Sequence, residues 1–148
     1  MMRSHADRCA LPNIARILLP LLVCLMWTQG DAQNAPSAPV ISGGWHGLYL
    51  YPDGRPGVSF LFELAETNSR VTGRIAEINT FGDRNVPFLF ADVIGDRSGN
   101  LIVFSKTYDG TGGPHHTVKY TGTIDPNGAI ISGTWSVGNQ TGTFQISK

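Results

Sequence analysis

The sequence predicts an all-β protein, an eight-stranded antiparallel meander closed into a small barrel, with a two-sheet β-sandwich as the alternative. Three observations lead there. After residue 44 no eleven-residue window keeps apolar residues at i, i+3, i+4 and i+7, so no helix presents a face to bury. Short β-branched and aromatic runs alternate instead with turn chemistry every ten to fifteen residues. Most of the runs also set a glycine and large residues on one face: Trp45-x-Gly47-x-Tyr49, Val71-x-Gly73-x-Ile75, Tyr120-x-Gly122-x-Ile124, Ile131-x-Gly133-x-Trp135 and Gly142-x-Phe144-x-Ile146. Residues two apart on a strand share a face. A large-small-large inner face is what a small barrel needs to coil and still fit its contents.

The elements follow in order. Strands are expected at Trp45–Tyr51, Val58–Glu66, Val71–Ile78, Phe88–Ile94, Leu101–Tyr108, Thr117–Ile124, Ala129–Val137 and Thr141–Ile146. Pro52-Asp53-Gly54 and Asp125-Pro126-Asn127-Gly128 supply a fixed φ followed by residues that tolerate positive φ. Gly95–Asn100 and Asp109–Pro114 read as polar, glycine-rich links, and Asn79–Pro87 as the one longer connection. Short links between all successive strands require antiparallel neighbours. Closure removes the edge strands that would otherwise invite pairing with another chain.

Upstream, Arg3, Arg8 and Arg16 precede the apolar run Ile17–Trp27, and small residues follow at Gly30 and Ala32. This three-part form reads as a secretory signal peptide over residues 1–32, cleaved after Ala32. The expected address is therefore secreted or periplasmic, with no stable membrane span after cleavage. Residues 33–44, rich in Pro, Ser, Ala and Gly, read as a flexible tether, and residues 45–148 as the barrel domain. Both cysteines, Cys9 and Cys24, fall in the leader, so the mature chain has no disulfide. Of the 11 basic and 11 acidic residues, the leader holds Arg3, Arg8, Arg16, Asp7 and Asp31. The 8 basic and 9 acidic residues that remain offer no basic field for nucleic acid.

The opening Gly44-Trp45-His46-Gly47-Leu48-Tyr49 and the closing Gly133-Thr134-Trp135 with Gly142-Thr143-Phe144, set on tight hairpins, resemble the calycin group of avidin-like, lipocalin-like and fatty-acid-binding-like barrels. The resemblance covers Trp45 to Lys148 and implies a barrel that holds a small ligand. The Asn and Ser of an avidin-type first strand have no counterpart in His46 and Leu48, and Trp45 follows Gly44 directly where lipocalins carry Gly-x-Trp. The biotin site is therefore not carried over, and fold alone does not assign function.

The function expected is binding of a small, partly apolar ligand, with Trp45, Tyr49, Glu77, Phe104, Tyr120 and Trp135 lining the interior and Glu77 at its rim. An eight-stranded barrel can equally be filled by its own side chains. The alternative is an envelope component or protein inhibitor acting through the loops Phe81–Pro87 and Gly110–His115. No Gly-x-Ser-x-Gly elbow, phosphate-cradling loop or catalytic cysteine is present, and enzymatic activity stays open. Adjacent His115 and His116 point to opposite faces of a strand and do not share a metal, so neither metal nor cofactor is expected. Lys106 and Asp109 read as a surface pair at a turn. The fourth and fifth strands are apolar on both faces, and Phe88, Phe90, Leu101 and Val103 are expected to form an exposed patch joining a homodimer, with cover by the N-terminal tether or the Asn79–Pro87 loop as the alternative.

Overall fold

The computed structural model describes residues 38–148. The leader, its cleavage site and the first part of the tether lie outside the described residues. Eight strands form one closed barrel in sequence order: β1 (Gly43–Leu50), β2 (Val58–Thr67), β3 (Arg70–Ile78), β4 (Phe88–Ser98), β5 (Leu101–Tyr108), β6 (Thr117–Ile124), β7 (Ile130–Val137) and β8 (Gln140–Ser147). Every neighbouring pair is antiparallel, and β1 closes the ring by pairing with both β2 (Tyr49 opposite Val58) and β8 (Tyr49 opposite Phe144). The barrel is thus the architecture adopted, and the sandwich is not.

The expected strands all form, with one substantial difference. Gly95–Ser98, expected in a link, extends β4 to Ser98, leaving Gly99-Asn100 as a two-residue turn between paired Ser98 and Leu101. Gly95 is not a turn residue. It continues the inward phase of Ala91 and Val93, and its missing side chain admits Phe104 from β5. Asn68 and Ser69, both at positive φ (49° and 66°), make the β2–β3 hairpin, the primed geometry whose twist matches the flanking strands.

Inside, neighbouring rings occupy the space at three of the glycines, while Gly133 faces the backbone of β6. The Phe60 ring lies over Gly47, the Trp135 ring over Gly142, and the Phe144 ring, at 2.8 Å from where a Cβ would stand, over Gly122. The sequence leaves open whether these glycines mean ligand space or ring space, and here they mean ring space. One half of the barrel is accordingly solid. Trp45, Phe62, Phe104, Ile75, Ile102 and Ile131 are buried there, and Phe104 stacks on Tyr120 with ring centroids 4.8 Å apart.

The solid half is also capped. Residues 39–42 lie against it, so the folded part begins before Trp45. Ile41 is fully buried, and its carbonyl accepts the Trp45 indole N–H at 2.9 Å. Arg97, in phase with Val93 and Gly95, donates to the carbonyls of Gly99 (2.7 Å) and Pro39 (2.8 Å) and to the Glu66 carboxylate (2.9 Å). Lys148 Nζ donates to the Val40 carbonyl at 2.8 Å and stands 5.0 Å from the Trp45 ring centroid. Shaving one methyl from the plug, Ile41→Val, is expected to lower stability by about 1 kcal/mol in urea unfolding. No change would mean that this end is not sealed by Ile41.

The outer wall departs from the expected patch. Phe88, Leu101 and Val103 are exposed and Phe90 is half-buried, but they do not form one surface. Leu101 pairs with Ser98, at the end of β4 opposite Phe88, about 30 Å away along the strand at ~3.3 Å per residue. Between them Asp92 bonds Arg74 at 3.2 Å, and Arg74 also reaches Asp109 at 2.7 Å. The alternating apolar pattern placed all four side chains outside, but it carried no information about the charged pair that divides them.

Candidate functional site

The other half of the barrel opens. A cavity of about 240 Å³ lies at the mouth formed by the β1–β2, β3–β4, β5–β6 and β7–β8 connections. Tyr49, Tyr51 and Trp135 pack edge to face along one wall, at centroid distances of 5.4 to 6.1 Å. The Trp135 indole N–H is satisfied by the Leu50 carbonyl at 3.0 Å, which fixes the plane of the ring. Tyr108, at the end of β5, packs on His116 (4.8 Å) and Phe81 (5.7 Å) as a second cluster. Phe81 is held there by Asn79. The Asn79 side chain donates to the carbonyls of Asp83 and Val86 (2.7 Å each) and accepts from the Gly82 N–H (2.7 Å). The Asp83 N–H in turn donates to the Gly112 carbonyl at 2.8 Å, tying the β3–β4 and β5–β6 loops together. Arg55, paired with Asp53 at 2.8 Å, lies 3.9 Å above the Tyr51 ring at the rim.

Beneath this cavity a charged cluster is sealed inside the barrel. Lys106 Nζ donates to Glu77 Oε2 and, at 2.9 Å, to the Tyr108 hydroxyl oxygen. Tyr108 donates in turn to Glu77 Oε1 at 2.6 Å. Lys106 and Glu77 are each 1% exposed. Glu77 is therefore not at the rim: it continues the Val71–Gly73–Ile75 face as expected, but it stops at a lysine below the mouth instead of reaching out of it. Lys106 does not meet Asp109, because the phase of Ile102 and Phe104 turns it inward, while Asp109 pairs with Arg74 outside.

Burial dominates the protonation of the groups here. It pushes the Lys106 ammonium below the usual lysine range, opposed by the attraction of Glu77. Burial, reinforced by the Glu77 charge, raises Tyr49, Tyr108 and Tyr120 far above the usual phenol value, so all three remain phenols that can donate a hydrogen bond. Burial and the nearby Lys106 charge lower His116, which favours its neutral form near pH 7.

Of the residues expected to line a site, Tyr49, Tyr120 and Trp135 line the cavity. Trp45 belongs to the capped end, Phe104 to the packed middle and Glu77 to the sealed cluster. Tyr51, Arg55, Phe81, Tyr108 and His116 add to the lining, with Val118, Val137 and Gln140. Three of these carried a readable signal: Tyr51 shares the phase of Tyr49, Tyr108 that of Phe104, and His116 that of Val118 and Tyr120. Among the described residues no group of three His, Cys, Asp or Glu is placed to hold a metal ion. No known family model and no curated protein matches the chain.

Proposed function

We propose that this protein is a calycin-like barrel that binds a small, partly apolar molecule in its open mouth, outside the cytoplasm. The observation that carries the reading is the aromatic-walled cavity of about 240 Å³, left open while the other half of the barrel is packed solid. A concave, mostly apolar space with a few placed polar groups is the common form of a small-molecule site. The external address rests on the leader sequence of residues 1–32. The loops that would serve a protein inhibitor are bound to each other through Asp83 and Gly112, and Phe81 turns toward Tyr108 and His116. That favours a rim for the cavity over a surface offered to a partner protein.

Native mass spectrometry of protein purified from its host tests the reading. A co-purified small mass supports it, and a bare chain that captures another protein supports the inhibitor alternative. Fluorescence locates the ligand. Trp135 lines the cavity and Trp45 lies at the capped end, so ligand should change the emission of the parent, and Trp135→Phe should abolish the response. A response that survives in Trp135→Phe would place binding elsewhere.

A further inference from the structure

We infer that the mouth cavity takes an uncharged, planar aromatic molecule carrying one hydrogen-bonding group, of the size of a naphthol or an indole, and that the Tyr120 hydroxyl is the group that meets it. This deepens the reading of the cavity as a ligand site and rests on it.

Charge is the first argument. The ionised side chains at or beneath the cavity already have opposite partners: Lys106 has Glu77, and Arg55 has Asp53. The Lys106–Glu77 pair sums to zero however its proton is divided. His116 is biased toward its neutral form near pH 7, since burial and Lys106 outweigh the attraction of Glu77 for its cation. An anion or cation entering the aromatic walls would lose its hydration and find no free counter-charge, which is the costly case for a buried ion.

Shape is the second. A volume of about 240 Å³ lies below the roughly 300–1,000 Å³ of drug-sized sites, so the occupant is compact. Tyr49, Tyr51 and Trp135 present edges and faces fixed by their mutual packing. Flat rings gain from such surfaces beyond the area they bury; a flexible chain does not.

The third is a specific polar group. Tyr120 is 2% exposed, lines the cavity, and its ring is fixed parallel to Phe104 with 4° between the planes. No side-chain hydrogen bond among the described residues involves its hydroxyl, whereas the Tyr108 hydroxyl is held on both sides by Lys106 and Glu77. The ring is buried while the hydroxyl oxygen itself is not sealed off, and a rigid phenol facing a cavity without a protein partner is completed by ligand or solvent.

Calorimetric titration of the protein with 2-naphthol, naphthalene, 2-naphthoate, 2-naphthylmethylammonium and 1-octanol tests this. The neutral 2-naphthol should bind at least about tenfold more tightly than either ion or the aliphatic alcohol, given the uncompensated charge or lost ring contact. Tyr120→Phe, which keeps the ring and its stack, should weaken 2-naphthol by about five- to tenfold and leave naphthalene unchanged. Tighter binding of an ion, equal binding of octanol, or an unchanged naphthol affinity in Tyr120→Phe overturns the inference and leaves a small-molecule site in place. Failure of every probe to bind also overturns it, and the site itself is then judged separately by the mass of any co-purified ligand.

Discussion

Replacing Glu77 by alanine is expected to destabilise the protein by about 3–5 kcal/mol, read from urea or thermal unfolding. The change leaves the Lys106 ammonium inside the barrel with its carboxylate gone, and leaves the Tyr108 hydroxyl without its acceptor. The nearby rings compensate only in part: Lys106 Nζ stands 4.4 Å from the Tyr108 centroid and 5.3 Å from that of Tyr49. Removing both charges together is a different experiment. Glu77→Leu with Lys106→Met should recover most of the loss, because a buried ion pair is often matched by apolar residues of similar volume. The single variant also carries a pH signature. Burial alone now acts on Lys106 and holds its folded pKa below the unfolded value of about 10.4. Between those two values the unfolded chain binds more protons than the native one, so the stability of Glu77→Ala should rise with pH across that window. A Glu77→Ala protein as stable as the parent, or one that loses stability as pH rises toward 10, would contradict the sealed pair.

Gly133→Leu should cost more than about 3 kcal/mol, beyond the usual range for overpacking. Gly133 sits directly opposite Gly122 in the β6–β7 register. A Cβ at Gly133 would overlap the Thr121 carbonyl oxygen and stand 2.6 Å from Gly122 Cα. Both are backbone atoms of the paired strand, so no side chain can swing aside. Gly44→Ala is the control. Its nearest neighbour is the Glu63 carboxylate oxygen at 3.1 Å, the tip of an exposed, movable side chain, and the change should stay within about 0.5 kcal/mol. Folded, stable Gly133→Leu protein would mean that β6 and β7 are not this close.

The barrel was legible because a strand reports its inner face every second residue. Trp45, Tyr49, Phe104, Tyr120, Trp135 and Phe144 all point inward as that period requires. The candidate site was legible in part for the same reason. Tyr49, Tyr120 and Trp135 could be read as inward but not as lying at one end, because depth along a barrel depends on the stagger of strands far apart in sequence. That stagger sends Trp45 to the capped end and Tyr49, on the same strand and face, to the mouth. Lys106 was misread because a lysine near a strand end is ordinarily solvated, and its inward phase gains meaning only when Glu77, 29 positions earlier, occupies the same layer. Tyr51 continues the phase of Trp45 and Tyr49 just past the end of β1, whereas Arg55 and Phe81 stand in connections, where no period tells which way a side chain turns.

The closure between β1 and β8 has a consequence for how the chain reaches this state. Gly47 pairs with Ile146, and Lys148 reaches back to Val40, so the first and last segments of the fold complete each other. Hairpins can form as they emerge, but the ring cannot shut until the final strand is present, and such distant pairings slow folding. A chain cut before Gln140 would expose the free edges of β1 and β7 together, a template for strand addition between molecules.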